Sequence, residues 1–353
     1  MTTNGIYSIS DLLAVRNASA ASYGIETIWR TVQMETEYAN KRVNEMLADF
    51  CMPVTAQSAI WGGGGTVAMD EVDEYGVPMA KQNAIGITAQ FPLRMYKQQL
   101  GWTEEYFETA TPAEVAEKFL ELRKGYFAQI TKQMKKSLYL SSVISFVDRL
   151  TNGVTLSVKP LQAGDITVGT VPDSPAGVVF ANTHTHILAE NVVSAADVQA
   201  LVDTVTEHGN TKGLKIFMNA ADKAAFIALT GFTPLSQIYI NYDGVNSTVK
   251  KLDNEDVENQ LIGYWLGGIE CWVKPWACDN YLLCVATGMP EKVLGYRQRA
   301  QSNLQGWRIV NQFNDHPLIA EYAKAEFGFG VFNRVMGAVN YMNNDTWADP
   351  TIT

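Results

Sequence analysis

The clearest order in this chain is the spacing of its apolar residues. From Ile85 to Met95, apolar side chains at Ile85, Ile87, Ala89, Phe91, Leu93 and Met95 alternate with Gly86, Thr88, Gln90, Pro92 and Arg94. Period two over this length predicts a long ribbon with one face to bury. Pro92 has no N–H to give to a ladder, which marks an edge strand or a bulge. Further on the period changes. Thr111-Pro112-Ala113-Glu114 combines a capping box with proline at the first helical position. Behind it Val115, Phe119, Leu122, Tyr126, Ile130, Met134 and Leu138 keep one helical face, for about seven turns or some 40 Å. Lys118, Arg123, Lys124, Lys132, Lys135 and Lys136 lie off that stripe.

Helical spacing also fills the chain before residue 50. Ser8-Ile9-Ser10-Asp11 reads as a capping box. After Gly24, a narrow stripe runs through Ile25, Ile28, Val32, Ala39, Val43, Met46, Leu47 and Phe50. The other faces are polar, so this helix needs a surface to lie on. Pro53, the run Gly62-Gly63-Gly64-Gly65 and the acidic patch Asp70, Glu71, Asp73 and Glu74 separate it from the ribbon. Past the long helix, Val154 to Ile187 is rich in Val, Thr, Gly and Pro and reads as strand and turn. Ser194-Ala195-Ala196-Asp197 caps a helix that buries Val198, Leu201, Val202 and Val205 and stops at Gly209. Leu214–Met218 and Tyr281–Ala286 are buried strands, with a short helix over Ala220–Leu229. Asp243-Gly244 marks a hairpin turn, and Ile269, Cys271 and Val273 alternate. From Trp307 to Met342 the pattern is strand again, with Phe327, Phe329, Val331, Val335 and Val339 on one parity. No internal repeat occurs, and the class is α+β.

Composition narrows the function. With 353 residues, 47% apolar and 18% charged, the chain can bury a sizeable core. Its net charge of −10 is unsuited to a broad grip on nucleic acid, which rests on Lys and Arg releasing counterions. The start, Met1-Thr2-Thr3-Asn4-Gly5, has no signal-peptide pattern, and no segment reaches the length of a membrane span. Cys51, Cys271, Cys278 and Cys284 form no CxxC pair and read as reduced thiols.

The candidate chemistry is sparse. The Gly62–Gly65 run invites comparison with a phosphate loop, but Thr66-Val67-Ala68-Met69 follows where Lys and Ser or Thr should stand. It reads as a hinge. Thr183-His184-Thr185-His186 would put both imidazoles on one side of a strand. A third metal ligand would then come from His316 or Cys278. The plainer reading is histidines hydrogen-bonded at a surface or interface, so no metal and no cofactor is assigned. His208 suits the C-terminal end of its helix as a cationic tip. The acids around Asp70 lack the spacing of a calcium loop. No nucleophile elbow, zinc-protease helix or placed Cys–His pair appears, and no catalytic residue is assigned.

The order of these parts resembles the major capsid protein of tailed bacteriophages, the Hong Kong 97 fold. Local stretches are similar too: Lys215-Ile216-Phe217-Met218-Asn219-Ala220-Ala221, Leu261 to Val273 with its Gly267-Gly268 turn, Tyr281 to Gly288, and Phe327-Gly328-Phe329-Gly330-Val331-Phe332. The resemblance spans the chain, most clearly from residue 50 onward. It implies an N-terminal helical arm over 1–56 and an extended loop over 57–106. A peripheral domain with its spine helix would occupy 107–184, an axial domain most of 185–300, and 301–353 would return to the peripheral domain. It further implies self-assembly into pentamers and hexamers of an icosahedral shell around double-stranded DNA. The shell would form in the host cytoplasm and end as the virion capsid. Portal and decoration or cement proteins would be partners, with DNA held without sequence specificity and no membrane. Only about 50 residues precede the loop, too few for a fused scaffolding segment, so a separate scaffolding protein is expected. Lys81 lies in the loop, but no isopeptide partner is matched to it.

A shell would explain the ribbon. An apolar face on a projecting strand pair invites association, and repeated contacts between neighbours add strength. The expected interface comprises Gly62, Gly63, Gly64, Gly65, Asp70, Glu71, Asp73, Glu74, Ile85, Ile87, Phe91 and Leu93, facing the basic side of a neighbour's spine helix at Lys118, Arg123, Lys124, Lys132, Lys135 and Lys136. The alternatives are an encapsulin-type compartment of the same architecture and a metal-dependent enzyme using His184 and His186.

Overall fold

A computed structural model describes residues 8–61, 87–162, 171, 173–181, 184–235, 238–243, 246–251, 260–315 and 318–352. Three helices open the chain: α1 (Ile9–Ala14), α2 (Ala20–Tyr23) and α3 (Ile25–Leu47). Ser8 caps α1 reciprocally, its N–H donating to Asp11 Oδ2 at 2.7 Å and its Oγ accepting from the Asp11 N–H at 3.3 Å. The α3 stripe of Ile28, Val32, Ala39 and Val43 is fully buried. It lies on the chain's own spine helix and a neighbouring strand, which answers the need of an otherwise polar helix for a surface.

The chain then runs through β1 (Cys51–Val54), β2 (Ser58–Trp61), β3 (Ile87–Gln90), β4 (Arg94–Thr103), α4 (Glu104–Thr109), α5 (Pro112–Tyr139), β5 (Ile144–Val147) and β6 (Thr155–Val158). Next come β7 (Ile187–Ala189), α6 (Ala195–Thr206), β8 (Leu214–Met218), α7 (Lys223–Ile227), β9 (Phe232–Pro234), β10 (Ile238–Asp243), β11 (Asn246–Lys251), β12 (Gln260–Trp265) and β13 (Ile269–Val273). The last strands are β14 (Tyr281–Ala286), β15 (Leu294–Arg297), β16 (Trp307–Asp315), β17 (Leu318–Val331) and β18 (Gly337–Tyr341).

Two larger sheets organise these elements. In the first, β1, β15, β17 and β16 lie side by side and β4 also pairs with β17. The spine helix α5 crosses it. Thr111 caps α5, Glu114 returns the bond to the Thr111 N–H at 2.8 Å, and Pro112 fills the first turn. Phe119 and Tyr126 of α5 stack on Trp307 of β16 with ring centroids 5.2 and 5.4 Å away. Asn40 of α3 holds the same residue, donating to the Trp307 carbonyl at 2.8 Å and accepting from its N–H at 2.7 Å. The second sheet has the order β7-β18-β14-β8-β13-β12-β9. Every residue of β14 is buried, as its continuous apolar run requires of a strand covered on both faces.

The closing strands divide between the two sheets: β15 lies between β1 and β17 in the first, while β18 pairs with β14 and β7 in the second. One expectation needs correction: the ribbon is not one strand. Pairing of β3 with β2 ends at Gln90, residues 91–93 cross over, and β4 begins a separate strand on β17. Pro92 sits at that break, as a residue without an N–H should.

Candidate assembly site

The base of the expected loop is the short hairpin β2–β3, with Ser58 opposite Gln90 and Trp61 opposite Ile87. Alternation splits it into two faces. Ala59, Trp61, Ile87 and Ala89 turn toward a small core that includes Phe91, Val171 and Val335. Ile60 points the other way and is 68% exposed. Phe91 is fully buried and stacks on Phe332 at 6.2 Å, and Leu93 is buried as well. These two residues therefore serve the chain's own core, which corrects their expected role at a subunit interface; Ile87 is half-buried against the same cluster. Of the remaining loop positions, Gly62, Gly63, Gly64, Gly65, Asp70, Glu71, Asp73, Glu74, Lys81 and Ile85 lie outside the described residues.

Residues 90–92 lie tightly across the first sheet, and glycines make the room. A Cβ on Gly330 would stand 2.4 Å from the Gln90 carbonyl oxygen, and one on Gly328 would stand 2.0 Å from that of Pro92. The Phe-Gly-Phe-Gly pattern thus alternates core aromatics with bare backbone under the loop base.

The basic side of α5 is divided. Lys118 and Lys124 are exposed, while Lys132, Lys135 and Lys136 are half-buried. Lys118 pairs with Glu121 at 3.4 Å on the surface, a contact of little weight. Arg123 instead bonds Glu35 of α3, and its burial there holds its pKa below the usual guanidinium value. Arg123 therefore joins spine to arm within one chain, contrary to the expected surface role.

The two histidines of Thr183-His184-Thr185-His186 meet a third that sequence reasoning set aside. His184 and His186 precede β7 in a turn rather than a strand, with the His184 N–H on the Ala181 carbonyl at 2.9 Å. His208 follows the end of α6 with a side chain only 2% exposed, turned inward rather than toward solvent. Its Nε2 lies 3.2 Å from His184 Nε2, and Glu207 Oε1 lies 3.2 Å from the same His184 atom. Burial, then Arg334 and the two other imidazoles, drives His186 well below the ordinary histidine range. Cys278 is not in this group, and His316 lies outside the described residues. The signal available in the sequence was one histidine beside an acid, Glu207-His208, just past the end of α6.

No family model and no curated protein matches the sequence. Solved structures do match the fold. A chain of Mycobacterium phage Patience superposes with a TM-score of 0.66 at 20% identity, covering 99% of this chain and 96% of that one. A capsid chain of an empty GTA particle gives 0.49 at 13% identity, covering 86% and 89%. A capsid chain of cyanophage A-1(L) gives 0.48 at 12% identity, covering 86% and 93%. From arm to closing strand, the chain has the Hong Kong 97-like α+β fold.

Proposed function

We propose that this chain is a major capsid protein, which assembles with copies of itself into pentamers and hexamers of an icosahedral shell around phage double-stranded DNA. The observation that carries this reading is the agreement in fold over 99% of the chain with a phage protein of nearly the same extent. The role is structural. Among the described residues, no helix is long and apolar enough to cross a membrane. Ile60, Val178, Val179 and Val192 are each more than half exposed, an apolar surface that contact with neighbours would cover. A separate scaffolding protein, a portal and cement proteins complete the expected partners, and the virion is the expected location.

Two assignments within this reading follow the chain order. Residues 62–86, between the two strands of the loop base, supply the contact to a neighbour. The acids Asp70, Glu71, Asp73 and Glu74 meet Lys118 and Lys124, the exposed cations of the spine helix. Reversing those four acids to Lys should abolish or impair assembly while leaving a folded subunit; normal shells from the variant would reject the pairing.

The deciding experiment is electron microscopy of the expressed chain with its scaffolding protein. Regular hollow particles are expected, and a stable monomer under all assembly conditions would overturn the proposal. Particles that hold a protein cargo instead of DNA when purified from their native source would favour the encapsulin reading.

A further inference from the structure

We propose that His184, His186, His208 and Glu207 form a structural zinc site that pins the turn before β7 to the end of α6. This holds whether or not the chain builds a shell. The ligand nitrogens of the three histidines lie within 4.8 Å of one another. His184 Nε2 is 3.2 Å from His208 Nε2, and Glu207 Oε1 is 3.2 Å from the first and 3.7 Å from the second. A tetrahedral ion with bonds of about 2.0–2.1 Å sets its ligand atoms about 3.3 Å apart. His184, His208 and Glu207 have the spacing of ligands around one ion; His186 lies within 4.8 Å of the other two imidazoles, so the ion would draw it inward to complete the set.

A purely hydrogen-bonded cluster explains less. His184 and His208 can share a proton, but His186 is left over. Its Nδ1 faces the Gly337 carbonyl at 3.1 Å. A carbonyl only accepts, so Nδ1 carries the proton and Nε2 presents a lone pair. That Nε2 is buried, on a residue 0% exposed, and has no hydrogen-bond partner among the described residues. Leaving a buried acceptor of this kind unsatisfied destabilises the fold. A cation at the centre of the cluster would use the lone pair, and a backbone carbonyl on the far ring nitrogen is the usual support of a metal-binding histidine.

The surroundings suit zinc held for structure. Imidazole is a borderline ligand suited to zinc, which also accepts a carboxylate oxygen, and three of the one with one of the other would fill four positions, leaving none open for a substrate. The Phe180 ring lies 4.6 Å from that of His184 and 4.3 Å from that of His208, closing one side. The Arg334 guanidinium, also buried, opposes a cation here; the Glu207 carboxylate offsets it.

The test uses the intact, untagged chain, equilibrated with zinc chloride, dialysed against metal-free buffer and assayed by elemental analysis. One zinc ion per chain is expected, together with tetrahedral cobalt absorption bands after exchange with cobalt chloride. His186→Ala is too buried to be a clean control. His184→Ala with Glu207→Gln changes the two more exposed ligands, and circular dichroism checks that the variant folds. It should lose the metal, and a chelator should lower the melting temperature of the parent but not of the variant. A parent that retains no zinc would overturn the proposal, as would zinc retained equally by parent and folded variant.

Discussion

Arg297 and Asp148 form an ion pair of 2.6 Å with side chains only 3% and 0% exposed. The pair joins distant parts of the chain. Arg297 lies in β15 of the first sheet, and Asp148 follows β5. The same guanidinium donates to the Phe91 carbonyl at 2.7 Å and to Thr151 Oγ1 at 2.8 Å. Gln57, just before β2, donates to Asp148 Oδ2 at 2.9 Å. Both ends of the loop base, residues 57 and 91, are thus tied to the β5–β6 hairpin and to the sheet through one buried charge pair.

Breaking the pair on one side should cost more than the pair contributes, because the survivor remains a buried charge. Arg297→Met is expected to destabilise the unassembled subunit by about 3–5 kcal/mol. Arg297→Met with Asp148→Leu should recover much of that loss, because no charge is left stranded. Urea unfolding of the subunits measures both. A double variant no better than the single would show that the pair's geometry, rather than the stranded charge, governs stability here.

The glycines under the loop base give a second expectation. Gly328→Ala brings its Cβ against the Pro92 carbonyl, and backbone cannot swing aside as a flexible side chain does. Overpacking of this kind costs about 1–3 kcal/mol, and the upper end is expected. Gly268→Ala is the control, since a Cβ there meets nothing within 4 Å. Equal melting temperatures for the two variants would remove the claim that the 90–92 crossing requires glycine.

How much of this was legible in the sequence depends on the range of each interaction. The capping boxes at Ser8, Thr111 and Ser194 were readable because both partners lie within one turn. The buried strand Tyr281–Ala286 was readable as an unbroken apolar run, and Leu214–Met218 as an apolar run broken only by Lys215. The interface role given to Phe91 and Leu93 failed because alternation says that a face is buried, not against what; Val335 and Phe332, which cover Phe91, lie far along the chain. Arg123 was set on a surface because its partner Glu35 belongs to another helix. His208 was missed for the same reason: spacing within one segment cannot bring a third ligand from the next helix.

Glu326 is a buried carboxylate, 2% exposed, that serves three cations. It bonds Arg299, and it lies 3.2 Å from Arg308 and 2.5 Å from Lys324. Burial pushes its pKa up, but Lys324 and Arg299 more than offset that, leaving it below the ordinary value of 4.5. A depressed native pKa contributes stability at pH above the unfolded value, lost as pH falls through the native one. Glu326→Gln should cost roughly 2–3 kcal/mol at neutral pH, less than a fully buried pair because the cations keep some water. The difference from the parent should shrink below pH 4.5. A difference that is constant with pH would exclude the charge as its source.

Asp222 carries the opposite sign. Its carboxylate is 8% exposed and accepts from the Asn280 N–H at 3.1–3.2 Å, holding a residue in the left-handed region at φ 65°. Burial, then the neighbouring charge of Asp279, pushes its pKa from 3.8 to about 6. Between those values the folded state binds a proton that the unfolded state releases, so stability falls as pH rises through that window. Asn at this position keeps an acceptor for the Asn280 N–H and has no charge to bury. Asp222→Asn should therefore flatten the decline between pH 3.8 and about 6, and at pH above that window the variant should be at least as stable as the parent. Thermal unfolding of unassembled subunits at several pH values across the window checks both statements. A variant clearly less stable than its parent above the window would mean that the ionised carboxylate, with both oxygens on the Asn280 N–H, holds this turn better than a neutral amide can.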